Sequence, residues 1–279
     1  MRQIHYVLLN NPPLIHASKP RSRYGNNQVS YKAAIDLIAR ARVAGRISWK
    51  AIDDETRSIV VWNRHASIAP FVRGELDSFL KGFYRDLQES QPNQIEIVGE
   101  KNTIAGIIKP VAMRFGISYT IGRGYSSLPP RWKMADRYRR SGKEKLIVLV
   151  LSDHDPEGDD IPHSFARSMR DDFGIAKVEA IKVALTQEQV DALRPIPNNL
   201  EKKKGGSRYR RFVEAYGGNG FELEAISPEE LQRILREAID SVLDVKAFNA
   251  EIESEKRDAA HLEVVRRVIQ EQLRDVNFG

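Results

Sequence analysis

The stretch "KLIVLVLSD", Lys145–Asp153, constrains the fold of this chain more than any other. A short, unbroken apolar run rich in branched residues reads as a strand buried on both faces, which belongs inside a parallel sheet covered by helices. The neighbouring segments supply that setting. "IEIVGEK" and "ISYTIGRG" precede it as short strands and "AKVEAIKVAL" follows as another. Between them lie "TIAGIIKPVAMRFG", a helix kinked or broken at its proline, then "PPRWKMADRYRRSG" and "IPHSFARSMRDDFG". Strands alternating with helices predict an α/β fold with a mainly parallel sheet, Rossmann-like in construction. Chemistry in such sheets gathers at the carboxyl ends of the strands.

That rule selects Glu100, at the end of one strand, and Asp153 with Asp155, at the end of the central one. If the two strands are neighbours, three carboxylates converge and need a compensating cation. Lys101 is the one strong opposing charge in the sequence nearby, so a hard divalent ion is the simplest compensation, and Mg²⁺ suits a few carboxylates plus water and phosphate oxygens. The cluster offers almost no histidine or cysteine, which argues against zinc. His154 alternates with the aspartates and points away. Pro156 and Gly158 force a turn. The plain alternative is helix capping, which Asp159 or Asp160 is expected to provide for the next helix.

The 279 residues carry a net charge of +6, and the basic residues cluster. Arg40, Arg42, Arg46 and Lys50 form one group, Arg131 to Lys145 holds a second, and Lys202, Lys203, Lys204, Arg208, Arg210 and Arg211 form a third. Separated basic patches favour a polyanionic partner over a merely solvated surface. With 29% charged residues and no apolar run near twenty, no membrane span is expected. No cysteine and no charged-then-apolar leader fit a cytoplasmic setting.

Three regions are expected. Residues 1–90 read as helix, loop, helix and a short strand pair at "SIVVWN", the ingredients of a winged-helix-like DNA-binding domain whose second helix carries Arg40, Arg42 and Arg46. The polar "ESQPNQ" marks a boundary. Residues 91–245 hold the sheet, and 246–279 form a C-terminal helical segment that packs on the body or on a dimer mate.

Taken together, "EK" after a strand, "IGRGYSS" at the next strand end and "SDHDPEGDDI" at the central one resemble the Toprim fold. More narrowly, they resemble the topoisomerase VI A subunit and the meiotic double-strand-break transesterase. The matching positions are Glu100; Gly124 and Tyr125; Asp153, Asp155, Pro156 and Gly158. "FELEAISPEELQRILREAI" resembles the family's late Glu-Leu-x-Ala-Leu segment, with Ile226 for leucine, and Arg2 and Tyr6 match its Arg-x-x-x-Tyr spacing. The resemblance implies a winged helix before a Toprim domain, and Mg²⁺ (or Mn²⁺) on Glu100, Asp153 and Asp155. It also implies Tyr6 as a nucleophile assisted by Arg2 and Glu100, double-stranded DNA as substrate and a homodimer. The sequence holds no evident nucleotide loop, so ATP dependence would need a separate ATPase subunit. The expected activity is that of a type IIB topoisomerase A-like transesterase, an isomerase. The alternatives are a Toprim nuclease that uses water, or a non-catalytic DNA-binding protein of a phage or mobile element.

Overall fold

A computed structural model describes residues 1–10, 14–15, 18–52, 60–122, 127–199 and 206–273. The chain divides into two compact units, one of Met1–Thr56 with Pro92–Val242 and the other of Arg57–Gln91 with Leu243–Gly279. Among the described residues ten α-helices accompany one four-stranded sheet, every pair of which is parallel.

In the first unit the strands are β1 (Gln94–Gly99), β2 (Ser118–Ile121), β3 (Leu146–Leu151) and β4 (Val178–Ala184). Their order is β2-β1-β3-β4, so β1 and β3 are central neighbours. Every residue of β3 is buried, as its unbroken apolar run requires. Val98, Val148 and Val150 pack with Met134 of α5 (Leu128–Ser141) and Phe165 and Met169 of α6 (Ile161–Asp171). Alternation sends Ile97, Gly99 and Leu149 to the other face. There α4 (Ala105–Phe115) lies against α9 (Pro228–Val242), and α9 also meets β4. A Cβ on Gly99 would stand 2.7 Å from Ile108 Cδ1 of α4.

Local chemistry sets the ends of these helices. α4 stops at Gly116 and α5 at Gly142, both at φ +66°, a conformation open to glycine at no steric cost. α4 continues through Pro110, which removes one N–H donor from the helix ladder. α7 (Gln187–Leu193) opens with a reciprocal capping box between Thr186 and Gln189. The expected cap of α6 differs: Asp160 holds the N-cap position, but its side chain makes no capping bond. It lies 3.1 Å from Arg208, so the stronger positive partner takes the carboxylate.

Ahead of the sheet come α1 (Arg2–Asn10) and α2 (Gln28–Val43). After it come α8 (Ser207–Tyr216) and a two-residue antiparallel pair, β5 (Asn198–Asn199) with β6 (Asn219–Gly220). Of the strand pair expected at "SIVVWN", Val60–Asn63 carry no strand pairing, and Ser58 and Ile59 lie outside the described residues. Val60, Val61 and Trp62 are exposed, and two short strands without a covering partner gain too little burial to hold together.

The second unit pairs α3 (Ile68–Ser78) and the segment after it with α10 (Val245–Leu273). Arg85 donates to Glu251 at 2.6 Å and Asp258 at 2.7 Å on α10. Gln91 and the Asp244 backbone exchange hydrogen bonds of 2.9 and 2.8 Å.

Glu96 is the anomaly of the sheet, a carboxylate in mid-strand with no exposed surface. Arg137 of α5 grips it through two bonds of 2.7 Å. Burial pushes the Glu96 carboxyl above its usual range, and Arg137 pulls it back only partly. Arg137→Met should cost about 3–5 kcal/mol, because it leaves a buried acid unpaired, whereas the double change Glu96→Leu with Arg137→Met should restore most of the loss. Urea unfolding of the two variants checks this.

Candidate active site

The register of β1 on β3 determines what meets at the sheet's carboxyl end. Gly99 pairs with Leu151, so Glu100 and Asp153 emerge side by side. Glu100 Oε2 accepts the Asp153 N–H at 2.8 Å. Asp153 turns its own carboxylate elsewhere: Oδ1 accepts the Leu223 N–H at 3.0 Å, and Oδ2 lies 2.6 Å from Lys101 Nζ. Lys101 also reaches Glu224 Oε2 at 3.0 Å, and Thr103 donates to Glu224 Oε1 at 2.7 Å. Burial pushes the Asp153 carboxyl well above its usual range, against the pull of Lys101. Burial alone would lower Lys101, but Asp153 and Glu224 more than reverse it and hold the ammonium charged. Burial would raise Glu224, and Lys101 overrides it downward.

Asp155 shapes the turn that follows. Its Oδ1 accepts the N–H groups of Glu157 at 2.9 Å and Gly158 at 2.8 Å, and Ser152 Oγ donates to the Gly158 carbonyl at 2.7 Å. A second lysine arrives from β4. A bulge there lets Lys182 and Ala184 pair with the consecutive residues Val150 and Leu151. Lys182 Nζ donates to the Asp153 carbonyl at 3.1 Å and to Asp159 at 3.3 Å. Burial lowers its pKa, and Asp159 opposes the shift. His154 points away from the acids, as its alternation predicts: it packs on Phe212 and Tyr216, with Nε2 3.1 Å from Gln187 Oε1.

The N-terminal pair converges on the same place through one segment. α1 packs on the turn Leu223–Ala225. Tyr6, 1% exposed, donates its hydroxyl to Glu222 Oε2 at 3.2 Å. Arg2 binds the same carboxylate at 3.2 Å and lies over the Tyr31 ring. Residues 221–224 thus touch Tyr6, Arg2, Asp153, His154 and Lys101.

Asp153 decides whether these residues fit a divalent ion as they stand. Its two oxygens face an N–H and an ammonium, and among the described residues no three histidine, cysteine or acidic side chains come together as a ligand set. In this arrangement they do not make a divalent-metal site. Lys101 and Lys182 bring positive charge to these acids.

The basic residues divide. Arg40 pairs with Asp36 and Arg46 is exposed. Arg42 donates to the carbonyls of Trp49 and Ile52 and stacks on the Trp49 ring, so it holds its own loop. Arg131, in the second basic group, is buried against Ser164 and Phe165. Arg208 pairs with Asp160 beside a cavity of about 210 Å³ that also meets His163, Arg211 and Tyr216. Lys202, Lys203 and Lys204 lie outside the described residues, as do Gly124 and Tyr125.

Sequence reasoning missed Lys182, Glu222, Glu224 and Thr103. Lys182 was findable, since the strand-end rule applies to β4 as well, and a lysine inside "AIKVAL" marks a charge carried into the sheet. Glu222 and Glu224 stand in the quoted "FELE", but their distance along the chain hid them from the cluster.

No family model matches the chain, and no curated protein matches it. Among the described residues no helix is long and apolar enough to cross a membrane.

Gly158 tests how tightly the turn is built. A Cβ there would stand 2.2 Å from the Asp153 carbonyl oxygen, a backbone atom that cannot rotate away. Gly158→Ala should therefore destabilise the protein by about 1–3 kcal/mol, the usual range for overpacking, read as a lower urea midpoint.

Proposed function

We propose that the chain is a DNA-cleaving transesterase in which Tyr6 attacks a phosphodiester beside a Toprim-like acidic site. The observation that carries this reading is the convergence of α1 and the strand ends on residues 222–224, where Tyr6 meets Glu222 and Leu223 meets Asp153. In this reading the first unit's sheet is the Toprim-like part, and α1 and α2 take the place of winged-helix DNA-binding helices.

The chemistry assigned to the residues is a balanced exchange of esters. The phenol oxygen of Tyr6 forms a bond to phosphorus while the bond from phosphorus to a sugar oxygen breaks. Glu222, which already accepts the hydroxyl's hydrogen bond, takes the phenol proton, and the departing sugar oxygen takes one from water. The phosphotyrosyl ester keeps the bond available for resealing. Arg2 holds the Glu222 carboxylate in place. Tyr6 is covered in this arrangement, so attack requires its surroundings to open toward the DNA while its bond to Glu222 is kept.

The proposal includes double-stranded DNA as substrate and a homodimer, since cutting both strands by this route needs two phenols. A separate ATPase subunit would supply any ATP dependence. Arg46 and the Arg208 region support phosphate contact. Mg²⁺ or Mn²⁺ belongs to the same proposal: Glu100, Asp153 and Asp155 are the residues that would hold it, and it would stabilise charge on the reacting phosphate. The burial of Tyr6 favours one second reading, a Toprim-like nuclease in which water attacks.

Supercoiled plasmid incubated with the protein and Mg²⁺ or Mn²⁺, then denatured with and without protease, tests the assignment. The wild type should leave protein joined to DNA ends. Tyr6→Phe keeps the ring and removes the attacking atom, so it should form no adduct. Glu222→Gln should slow adduct formation by about 10²–10⁴-fold, the usual contribution of a positioned proton acceptor. Cutting by Tyr6→Phe at the native rate, with protein-free ends, would replace this reading by the hydrolytic one.

A further inference from the structure

The first acidic residue of the chain is Asp36. Ahead of it stand Arg2, Lys19, Arg21, Arg23 and Lys32, with no carboxylate among them. Glu222 takes Arg2. The other four are exposed, and among the described residues none of them forms an ion pair. The basic groups elsewhere are different, since Arg40, Arg140 and Arg208 each face an aspartate.

These cations are mounted on a braced turn. The Ser22 N–H and hydroxyl both donate to the Lys19 carbonyl, at 2.8 and 2.7 Å, and the Tyr24 N–H donates to the Leu14 carbonyl at 3.1 Å. His5 of α1 clasps the turn from beneath. Its Nε2 lies 3.3 Å from Asn26 Oδ1, which can only accept, so Nδ1 is left to accept the Tyr24 hydroxyl at 2.5 Å. The Asn27 side chain then caps α2 by accepting the Ser30 N–H at 2.9 Å, which fixes the start of the helix that carries Lys32.

We infer that Lys19, Arg21, Arg23 and Lys32 form a docking surface for the sugar-phosphate backbone of DNA, and that this surface lays the strand along the helix that carries Tyr6. The inference rests on the reading of DNA as substrate and adds the face that receives it. Cations without a carboxylate partner give up no internal pair when a phosphate arrives, and each phosphate they neutralise releases condensed counterions. Arg208 must first leave Asp160 to do the same. Charge of one sign, interleaved with the neutral hydrogen-bonding side chains of Ser22 and Asn26, suits phosphate oxygens better than a protein partner, whose interface core is poor in charge. The clasp supplies the direction, because the turn is bonded to His5 and Tyr6 is the next residue.

Fluorescence anisotropy of a labelled duplex, titrated with the full chain across a KCl series without divalent ions, tests the surface. The triple variant Lys19→Gln, Arg21→Gln, Arg23→Gln should bind more weakly and reduce the slope of log K against log[KCl] by about 2–3, roughly one for each lost phosphate contact. A second triple, Lys109→Gln, Arg114→Gln, Arg167→Gln, removes the same charge from exposed positions on α4 and α6 and should change the slope by less than about one. Acetylation of lysines in the wild type, mapped by mass spectrometry, needs no variant to fold: the duplex should protect Lys19 and Lys32 and leave Lys109 reactive. Wild-type binding with an unchanged slope in the first triple, an equal change in both triples, or no protection of Lys19 and Lys32 overturns this surface and leaves the DNA reading standing. Binding of the wild type to phosphatidylserine vesicles but not to the duplex overturns both. The assay contains no cleavage step, so a wild type that binds as expected and never cuts ends the transesterase reading and keeps the surface.

Discussion

Carboxylates withdrawn from water at the end of a parallel sheet repel one another, and the arrangement around them follows from how that repulsion is met. The chain meets it from within. Lys101 follows Glu100 just past the end of β1, Lys182 comes up β4, and both reach Asp153, two residues past the end of β3. A bulge in β4 and a turn pinned by Asp155 and Gly158 hold this group. The strands bring the acids together, and lysines from the flanking strands make their burial tolerable.

The segment Phe221–Glu224 is the second organising element. It contributes a backbone donor to Asp153, a carboxylate to Lys101 and Thr103, and another to Tyr6 and Arg2. Its Phe221 exchanges backbone bonds with His154. One short stretch therefore couples the N-terminal helix to the strand ends through hydrogen bonds of buried or half-buried groups, where each bond carries more weight than in water. A phenol, a carboxylate that accepts its hydrogen bond and an arginine that holds that carboxylate are together the parts a phosphoryl-transfer nucleophile requires. Their closeness to the acidic site is what the proposed function draws upon.

Basic patches read from composition shrink when the structure assigns partners. Arg42 closes a loop on Trp49, Arg131 is buried under α6, and Arg137 neutralises Glu96. An arginine's planar group serves a carbonyl, a ring or a carboxylate as readily as a phosphate. Charge clusters in a sequence therefore overstate the surface left for a polyanion.

Much of the sheet was legible in the chain. The unbroken apolar run of β3, the alternation of strands with helices and the glycines after α4 and α5 are local signals, and local sterics and burial enforce them without distant help. The adjacency of Glu100 and Asp153 was legible as a condition on neighbouring strands, and the register of β1 on β3 satisfies it. Val60–Asn63 form no strand, although their residues favour one, because a strand's stability lies in its partner and cover, which its own residues do not state. That Lys101 bonds both Asp153 and Glu224, and that Lys182 joins them, was beyond the sequence for the same reason. Lys101 stands 52 positions before Asp153, Lys182 stands 29 after it, and Glu224 is 71 further along than Asp153. Covalent order determined the strands, their turns and the acids at their ends. Tertiary packing alone decided that lysines face those acids and that Tyr6 faces Glu222, because side chains remote in sequence compete for a few buried oxygens only once the sheet has formed.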